Sequence, residues 1–315
     1  MSSEEIILSD VQDSDSKVHI GIHRVGVQNI PKIIKRKRAG RYNELTAYID
    51  VFVDLEPSKR GIHMSRNIEA INEVTAGLLE EVITDTEELC AKIAEKVLNA
   101  QPGATYSEVH LRADYEMQTY SEAIHSIKTS VHRLLAGACA KKTEQGIILT
   151  KMIGAEVGGI TVCPCSQELS KDYARIKLKK QGYSDEQIED ILEVVPIAAH
   201  NQRSKAMLLF ELPRGAPRIE LEDIITTLES SMSAPLHEVL KRKHEQAVVI
   251  YAHKRAAFVE DVVRLILQNV ERNFPQLPDE TVIHVKQVNY ESIHQHNAVA
   301  ELRITLKQVR EQLRR

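Results

Sequence analysis

The chain has 315 residues, of which 43% are hydrophobic and 27% are charged, and its formal net charge at pH 7 is −4. A mildly acidic chain with only 4% aromatic residues is poorly suited to nucleic acid, so we expect no nucleic-acid partner. No apolar run reaches the roughly 18 residues of a membrane span, and the acidic N-terminus lacks a secretory pattern. We therefore expect a cytoplasmic protein with no membrane partner.

Strands dominate the predicted elements of the first half. Residues 1–16 are polar and are predicted to be a loose segment. Alternating and β-branched residues predict strands, in chain order, at 17–30, 44–55, 105–117, 127–139 and 146–162. The basic residues 32–41 are predicted to form a loop between the first two strands.

One long helix is predicted between the second and third strands. Apolar residues keep a helical spacing from Ile68 to Leu89. Ser65 or Asn67 can cap its start, and Gln101-Pro-Gly103 ends it.

The second half repeats this order of elements without repeating residues. A charged, helix-prone segment over 170–195, interrupted at Gly182, comes first. The elements predicted after it are strands at 203–212, 281–290 and 300–309, the last turning helical near its end, and amphipathic helices at 221–231 and 258–274. Strands segregated from helices indicate an α+β fold with antiparallel sheets and helices on one face.

Two cysteines lie close together in the sequence T-V-C-P-C-S, at Cys163 and Cys165. A disulfide between them is improbable in the cytoplasm and would close a very short, strained ring. A metal ligand and a nucleophile remain as the chemical alternatives. Both thiols follow a predicted strand, where residues two apart face the same way. We expect one to be a ligand and the other to lie behind it.

Histidines and a glutamate follow or precede other predicted strands. His200 lies in Ala199-His-Asn-Gln-Arg-Ser204, and Glu291, His294 and His296 lie in one turn between two strands. Imidazole, carboxylate and thiolate are together typical ligands of Zn²⁺ or Fe²⁺. The sequence therefore indicates a metal site that can activate a bound water, although a purely structural zinc site is also compatible with these ligands.

Five motifs occur in an order that we recognise from one enzyme family. They are Gly61-Ile-His-Met-Ser-Arg66, Cys163-Pro-Cys-Ser166, His200-Asn-Gln-Arg-Ser204, Phe258-Val-Glu-Asp261 and Glu291-Ser-Ile-His294. Over about residues 9–310 the chain resembles the type IB GTP cyclohydrolases of bacteria and their archaeal relatives of methanopterin biosynthesis. The archaeal branch is the better match, because a charged segment over 171–196 separates the second motif from the third.

The resemblance implies a fold and an assembly. It implies two tunnelling-fold modules in tandem, over 17–165 and 200–315, with a charged helical insertion over 166–199 between them. It also implies a homo-oligomer, a dimer or tetramer, whose active sites lie at subunit interfaces.

The resemblance also implies a reaction. GTP would be hydrolysed at C8 with loss of formate, and Fe²⁺ would be the metal, with Zn²⁺ or Mn²⁺ as substitutes. In the archaeal branch the expected product is 7,8-dihydroneopterin 2′,3′-cyclic phosphate with diphosphate, whereas the bacterial branch forms dihydroneopterin triphosphate. An alternative is a tunnelling-fold reductase, in which Cys163 or Cys165 would attack carbon as a nucleophile.

Site residues carried over from the family follow its motifs. Cys163, His200 and His294 are the expected metal ligands and catalytic groups, and Glu291 is the expected anchor of the guanine ring. The fourth ligand is open between His237 and Glu238, because Pro235 occupies the position of the bacterial glutamate. Residues expected to bind the rest of the substrate are His63, Arg66, Arg203 and Lys205, since cations at a helix start and planar guanidinium groups match phosphate oxygens.

Overall fold

The computed structural model describes residues 11–38, 41–76 and 85–314. Its strands are β1 (Ile22–Arg38), β2 (Arg41–Leu55), β3 (Tyr106–Ser121), β4 (Ser126–Thr143), β5 (Gly146–Val162), β6 (Asn201–Leu212), β7 (Ala234–Pro235), β8 (Val282–Asn289) and β9 (Ala298–Thr305). Its helices are α1 (Met64–Ala76), α2 (Thr86–Ala100), α3 (Pro164–Lys180), α4 (Asp185–Val194), α5 (Leu221–Ser231), α6 (Arg242–His253), α7 (Val259–Asn273) and α8 (Leu306–Leu313).

Contacts divide the chain into two units, of which the first comprises the described residues up to Ala113 together with Leu135–Ile153. Its strands follow the order β1-β2-β3-β4-β5, and β1 and β2 form a long antiparallel hairpin. The predicted basic loop is wrong over its described residues, which belong to these two strands. The physical reason is that Ile33 and Lys35 are exposed and Ile34 is buried, so the strand alternation enters the basic sequence.

The predicted long helix of the first unit is two helices. α1 ends at Ala76, and α2 begins at Thr86 after Asp85, whose backbone is extended. The single-helix prediction is therefore wrong at Asp85, and its middle part, 77–84, lies outside the described residues. α2 buries one face, including Leu89, Ile93 and Val97, at helical spacing.

The second unit comprises Asp114–Leu134 and Gly154–Arg315. Its strands follow the order β3-β4-β5-β6-β8-β9, and the short β7 pairs with β5. β6 and β8 are antiparallel and bury every second residue. α5 packs on β6, and α7 packs on β8 and β9, so helices cover the buried face of these strands. This arrangement confirms the predicted α+β class with antiparallel strands.

Most predicted elements of the second unit match the structure, with one exception. The helix predicted at 221–231 is α5, and the helix predicted at 258–274 is α7. The strand predicted at 300–309 with a helical end is β9 followed by α8, and the helix starts after Thr305 because Thr305 and Gln308 form a capping box. α6 is a helix that the sequence pattern did not predict.

β3, β4 and β5 contribute residues to both units, so the units are not consecutive stretches of sequence. The predicted division into modules at 17–165, 166–199 and 200–315 stays a prediction. Among the described residues, no helix is both long and apolar enough to cross a membrane.

A buried ionic cluster connects β4 to α5. Lys128 Nζ lies 2.5 Å from Glu229 Oε1 and 3.1 Å from Ser130 Oγ. His132 Nε2 lies 2.8 Å from Ser130 Oγ, and its buried Nδ1 has no hydrogen-bond partner among the described residues. Burial, reinforced by the Lys128 ammonium, lowers the pKa of His132 to about 4, and burial raises the pKa of Glu229. His132 is therefore neutral in the folded protein at pH 5.

We predict that His132 destabilises the fold as the pH falls. Below about pH 6.5 His132 binds a proton in the unfolded chain, whereas in the folded protein it stays neutral down to about pH 4. The contribution of His132 to the unfolding free energy therefore drops by roughly 2 kcal/mol between pH 7 and pH 5. His132→Gln keeps a nitrogen near Ser130 but does not titrate. Urea unfolding at pH 7, 6 and 5 should show a flatter pH dependence for His132→Gln. The raised pKa of Glu229 has the opposite effect on stability, but it acts in both proteins and cancels in the comparison. An equal pH dependence of the unfolding free energy in the two proteins would therefore refute the prediction.

Candidate active site

The end of β5 and the start of β6 bring Cys163 and His200 together. The backbone N–H of Cys163 donates to the carbonyl oxygen of His200 at 3.1 Å. Ser166 joins the two segments, because its hydroxyl donates to the Cys163 carbonyl and accepts from the His200 N–H, both at 3.2 Å. The Ser166 N–H donates to Cys163 Sγ at 3.5 Å. The two ends of the charged insertion, which contains α3 and α4, are therefore held next to each other where β5 ends and β6 begins.

The ring of His200 is oriented by a buried glutamine. Nδ1 of His200 lies 3.1 Å from Gln202 Oε1, and Gln202 Nε2 donates to Thr161 Oγ1 at 3.0 Å. With its amide committed to Thr161, Gln202 offers an acceptor to His200, which places the proton on Nδ1. Nε2 is then the nitrogen that is left to bind a ligand, as in metal-binding histidines that donate through their other nitrogen.

The turn between β8 and β9 contributes the remaining groups. Tyr290 N–H donates to the carbonyl of Arg203 at 3.0 Å, which holds the start of the turn beside β6. The ring centroids of His294 and His200 are 6.4 Å apart, and the His294 and His296 rings stack at 5.0 Å. Both histidines of the turn are exposed.

These segments line one cavity of about 280 Å³, which also includes the start of α7. This volume is close to the lower end of the range for small-molecule sites, about 300–1,000 Å³. It has room for a ring system rather than for a whole nucleotide. The residues that line it are Cys163, His200, Gln202, Ala257, Phe258, Val259, Glu260, Asn289, Glu291, His294, His296 and Ala298.

Glu291 is the cavity's buried carboxylate. Its side chain is 9% exposed, and its Oε2 accepts no hydrogen bond from any described residue. Nδ1 of His200 lies 3.7 Å from this oxygen, beyond hydrogen-bonding distance. A buried carboxylate oxygen without a donor is costly, so this position is suited to a ligand that brings N–H groups.

The predicted metal ligands share the cavity. A thiol with two imidazoles suits Fe²⁺ or Zn²⁺ by its chemistry, and the orientation of His200 fits a metal-binding histidine. Within the described part of the chain, however, no three His, Cys, Asp or Glu side chains are close enough together to hold one ion. The three predicted ligands therefore line one cavity, but in this arrangement they do not form a complete coordination site for a metal ion.

The structure corrects the prediction for Cys165. The residues after Cys163 form helix α3 rather than continuing a strand, with Cys163 as the N-cap and Pro164 in the first turn. Residues two apart on a helix point in very different directions. Cys165 is accordingly exposed and does not line the cavity, whereas Cys163 is half-buried and does.

Two predicted substrate residues belong to the first unit. His63 Nε2 lies 3.3 Å from Asp13 Oδ2, and the His63 carbonyl accepts from Gln101. Arg66 donates to the carbonyl of Ala100 at 3.3 Å. Their part in substrate binding stays a prediction.

Arg203 and Lys205 lie on β6 but on the strand face opposite Gln202. Both are exposed, whereas Gln202, which precedes Arg203, and Ser204, which lies between the two, are buried. Lys205 also lies 3.5 Å from Glu156. Neither side chain lines the cavity.

The two candidates for a fourth ligand lie outside the lining. His237 Nε2 is 2.8 Å from Ser121 Oγ, and burial lowers its pKa, as does the nearby Lys128. Glu238 is exposed. The fourth ligand therefore stays open.

Sequence reasoning did not single out Gln202, Asn289 or Glu260 as site residues. Gln202 and Asn289 are buried polar residues on facing strands, and strand alternation alone could have placed them on the inward face. Glu260 lies in the Phe258-Val-Glu-Asp261 motif, at the start of α7. A carboxylate in the first turn of a helix is so common that it carries no specific signal.

Comparison with one solved structure shows the fold. The structure of a hyper-thermostable AgUricase mutant superposes with a TM-score of 0.50 at 9% identity, over 92% of this chain and 94% of that one. The uricase from Arthrobacter globiformis gives a TM-score of 0.49 at 9% identity. The chain has the tunnelling fold, which confirms the fold expected from the sequence.

Sequence comparisons identify the family as well as the fold. Proteins named GTP cyclohydrolase MptA are 39% identical in Methanothermobacter thermautotrophicus, over 97% of this chain and 96% of theirs, and 41% identical in Methanocaldococcus jannaschii, over 96% and 97%. The protein of that name in Methanococcus maripaludis is 41% identical over 97% of this chain and 98% of its own. The family profile described as type I GTP cyclohydrolase folE2 matches residues 8–300. From Cys163 to His294 the cavity lies within that match, and the chain belongs to the type I GTP cyclohydrolase folE2 family of enzymes.

Proposed function

We propose that this protein is a metal-dependent GTP cyclohydrolase that hydrolyses GTP at C8 of the purine and releases formate. The observation that carries the proposal is the buried, unpaired carboxylate oxygen of Glu291 in the same cavity as Cys163, His200 and His294. Relatives named GTP cyclohydrolase, about 40% identical over nearly the whole chain, support it.

Guanine recognition is assigned to Glu291. The guanine edge carries N1–H and a 2-amino group, and one carboxylate can accept from both through charge-assisted hydrogen bonds. The cavity has room for the purine, so the triphosphate would extend beyond it. His63, Arg66, Arg203 and Lys205 stay candidates for phosphate binding on this account.

Cys163, His200 and His294 are the residues that would hold Fe²⁺, one ion per site, or Zn²⁺ or Mn²⁺ as substitutes. A bound divalent ion supplies a more acidic water for attack on carbon. Gln202 keeps the proton of His200 on Nδ1 and so presents Nε2. His294, on its exposed turn, would complete this donor set from the side of the cavity that is open to solvent.

The product we propose is 7,8-dihydroneopterin 2′,3′-cyclic phosphate, an early intermediate of tetrahydromethanopterin biosynthesis. Overall one water is consumed, C8 leaves as formate, and a ribose-derived hydroxyl displaces diphosphate from the α-phosphorus. The inserted segment that contains α3 and α4 supports the archaeal branch over the bacterial one, whose product keeps the triphosphate.

We also propose a cytoplasmic homo-oligomer. All four cysteines are free thiols, which accords with a reducing compartment. Active sites at subunit interfaces, as the resemblance implies, would allow a second copy to complete the ligand set around the metal.

We predict that the anaerobic protein with Fe²⁺ converts 8-¹³C-GTP to labelled formate. Mass spectrometry of the pterin should show one phosphorus atom in a cyclic ester, with diphosphate released in equal amount. ATP serves as the control, because adenine has no N1–H to donate to Glu291. Absence of formate with Fe²⁺, Mn²⁺ and Zn²⁺ would refute the activity, whereas a triphosphate product would refute only the proposed branch.

A further inference from the structure

Helix α3 carries an apolar stripe that stays more than half exposed in the described chain, with only Lys177 Nζ of the same helix placed over the Tyr173 ring, at 5.3 Å. Leu169, Tyr173 and Ile176 are 64%, 63% and 56% exposed. Their spacing of four and three residues puts them on one face of the helix. No residue of α3 is buried within the described chain. An exposed helix of this kind is stabilised when its apolar face meets another surface.

The opposite side of α3 is attached to its own unit. Gln167 Nε2 donates to the His253 carbonyl at 2.7 Å, and Arg175 binds Glu189 of α4 through its Nε at 2.9 Å. α4 packs on α3 and buries Ile188 and Leu192. The stripe therefore points away from α4 and α6, into solvent.

Charges along α3 are distributed unevenly. The acidic side chains, Glu168 and Asp172, lie in its first half with one lysine, Lys171, which pairs with Glu168 at 3.3 Å, and the last turn contains Lys177, Lys179 and Lys180. Arg175 contacts both carboxylates, yet their side chains remain 55% and 58% exposed and can meet a second cation. A parallel pair of such helices would bring like charges together, whereas an antiparallel pair sets the acidic half against the basic half.

We propose that α3 packs antiparallel against α3 of a second copy of this chain, across a two-fold axis close to Tyr173. The same surface then serves both partners, as two-fold symmetry requires. Leu169 of one chain would face Ile176 of the other. Three apolar residues fall short of the roughly 800 Å² per partner of a stable interface, so this contact adds to the homo-oligomer proposed above, on which it rests, rather than forming a dimer alone. It is independent of the reaction proposed above.

Cross-linking tests the two-fold axis. The experiment compares Tyr173→Cys with Glu186→Cys, both in a Cys165→Ser background; Glu186 is the control because it is exposed on α4 of the same insertion. Under mild oxidation Tyr173→Cys should form a disulfide-linked dimer at least about tenfold faster than the control. The reason is that a residue on the two-fold axis meets its own copy at high effective concentration. Adding Leu169→Lys and Ile176→Lys should reduce the rate to that of the control. Because both positions are exposed, circular dichroism should show an unchanged fold. Equal rates for Tyr173→Cys and Glu186→Cys, or fast cross-linking that survives the two lysines, would overturn the proposal.

A mixed experiment tests the antiparallel direction. Differently tagged chains with Leu169→Cys and with Ile176→Cys, co-expressed in the Cys165→Ser background, should cross-link mainly to each other. Predominant cross-links between identical chains would indicate parallel helices and refute the arrangement. A protein that stays monomeric at high concentration and does not cross-link would show that another partner covers the stripe, and would refute the proposal as well.

Discussion

Cys163→Ser should lose its bound iron and release formate from GTP more than about 100-fold more slowly than the unsubstituted protein. The figure is the upper end of the loss caused by changing residues behind the ligands of a metal, and removal of a ligand should exceed it. Cys163 is half-buried, lines the cavity and is fixed by its backbone bond to His200. Serine lacks the thiolate that binds iron or zinc strongly. Metal content by mass spectrometry and formate release are the two measurements.

Cys165→Ser is the matched control for this substitution. Cys165 is exposed in the first turn of α3 and does not line the cavity, so iron content and formate release should stay within about twofold of the starting protein. Serine is a preferred N-cap residue, so Cys163→Ser should retain the start of α3 and its thermal stability in the metal-free state. Retained iron in Cys163→Ser, or equal losses in both variants, would contradict the assignment of Cys163.

Much of the fold could be predicted because its strands alternate and its helices have apolar faces. α5 and α7 are amphipathic, and their predicted bounds match the structure closely. The basic sequence before Arg38 is predicted as a loop from its charge alone, and charge is a weak indicator of backbone conformation. In the structure, pairing with β2 supplies the backbone partners, and the side chains need only alternate.

The candidate site was predictable in its chemistry but not in its geometry. Cys163, His200, Glu291 and His294 are reactive residue types at predicted strand ends, and the structure brings all four to one cavity. The orientation of Cys165 could not be predicted, because the start of α3 at Pro164 was not recognised.

Gln202 was missed for a different reason. A glutamine on an alternating strand gives no sign that it bridges Thr161 and His200, since both contacts depend on strand pairing over long separations in sequence. Contacts of this kind are set by tertiary structure rather than by local pattern.

Glu291→Gln should lower kcat/KM for GTP by about 100-fold, while the protein becomes no less stable. Two charge-assisted hydrogen bonds to the guanine edge, each about 1.5–3 kcal/mol, are weakened when the acceptor becomes a neutral amide that offers one oxygen. In the free protein the same change removes a buried charge whose Oε2 has no donor among the described residues, which relieves an unfavourable desolvation. Steady-state kinetics and thermal unfolding should therefore move in opposite directions, as is typical of residues held for binding rather than for stability.

Inosine triphosphate separates guanine recognition from a general structural role of Glu291. It retains N1–H but lacks the 2-amino group, so the unsubstituted enzyme should prefer GTP by about tenfold or more, and Glu291→Gln should lose most of that preference. Glu260→Gln is the matched control, because Glu260 lines the same cavity but is exposed; it should keep the preference for GTP. If Glu291→Gln slows both nucleotides by the same factor, the carboxylate does not read the 2-amino group, and the guanine contact must be assigned to another residue of the cavity.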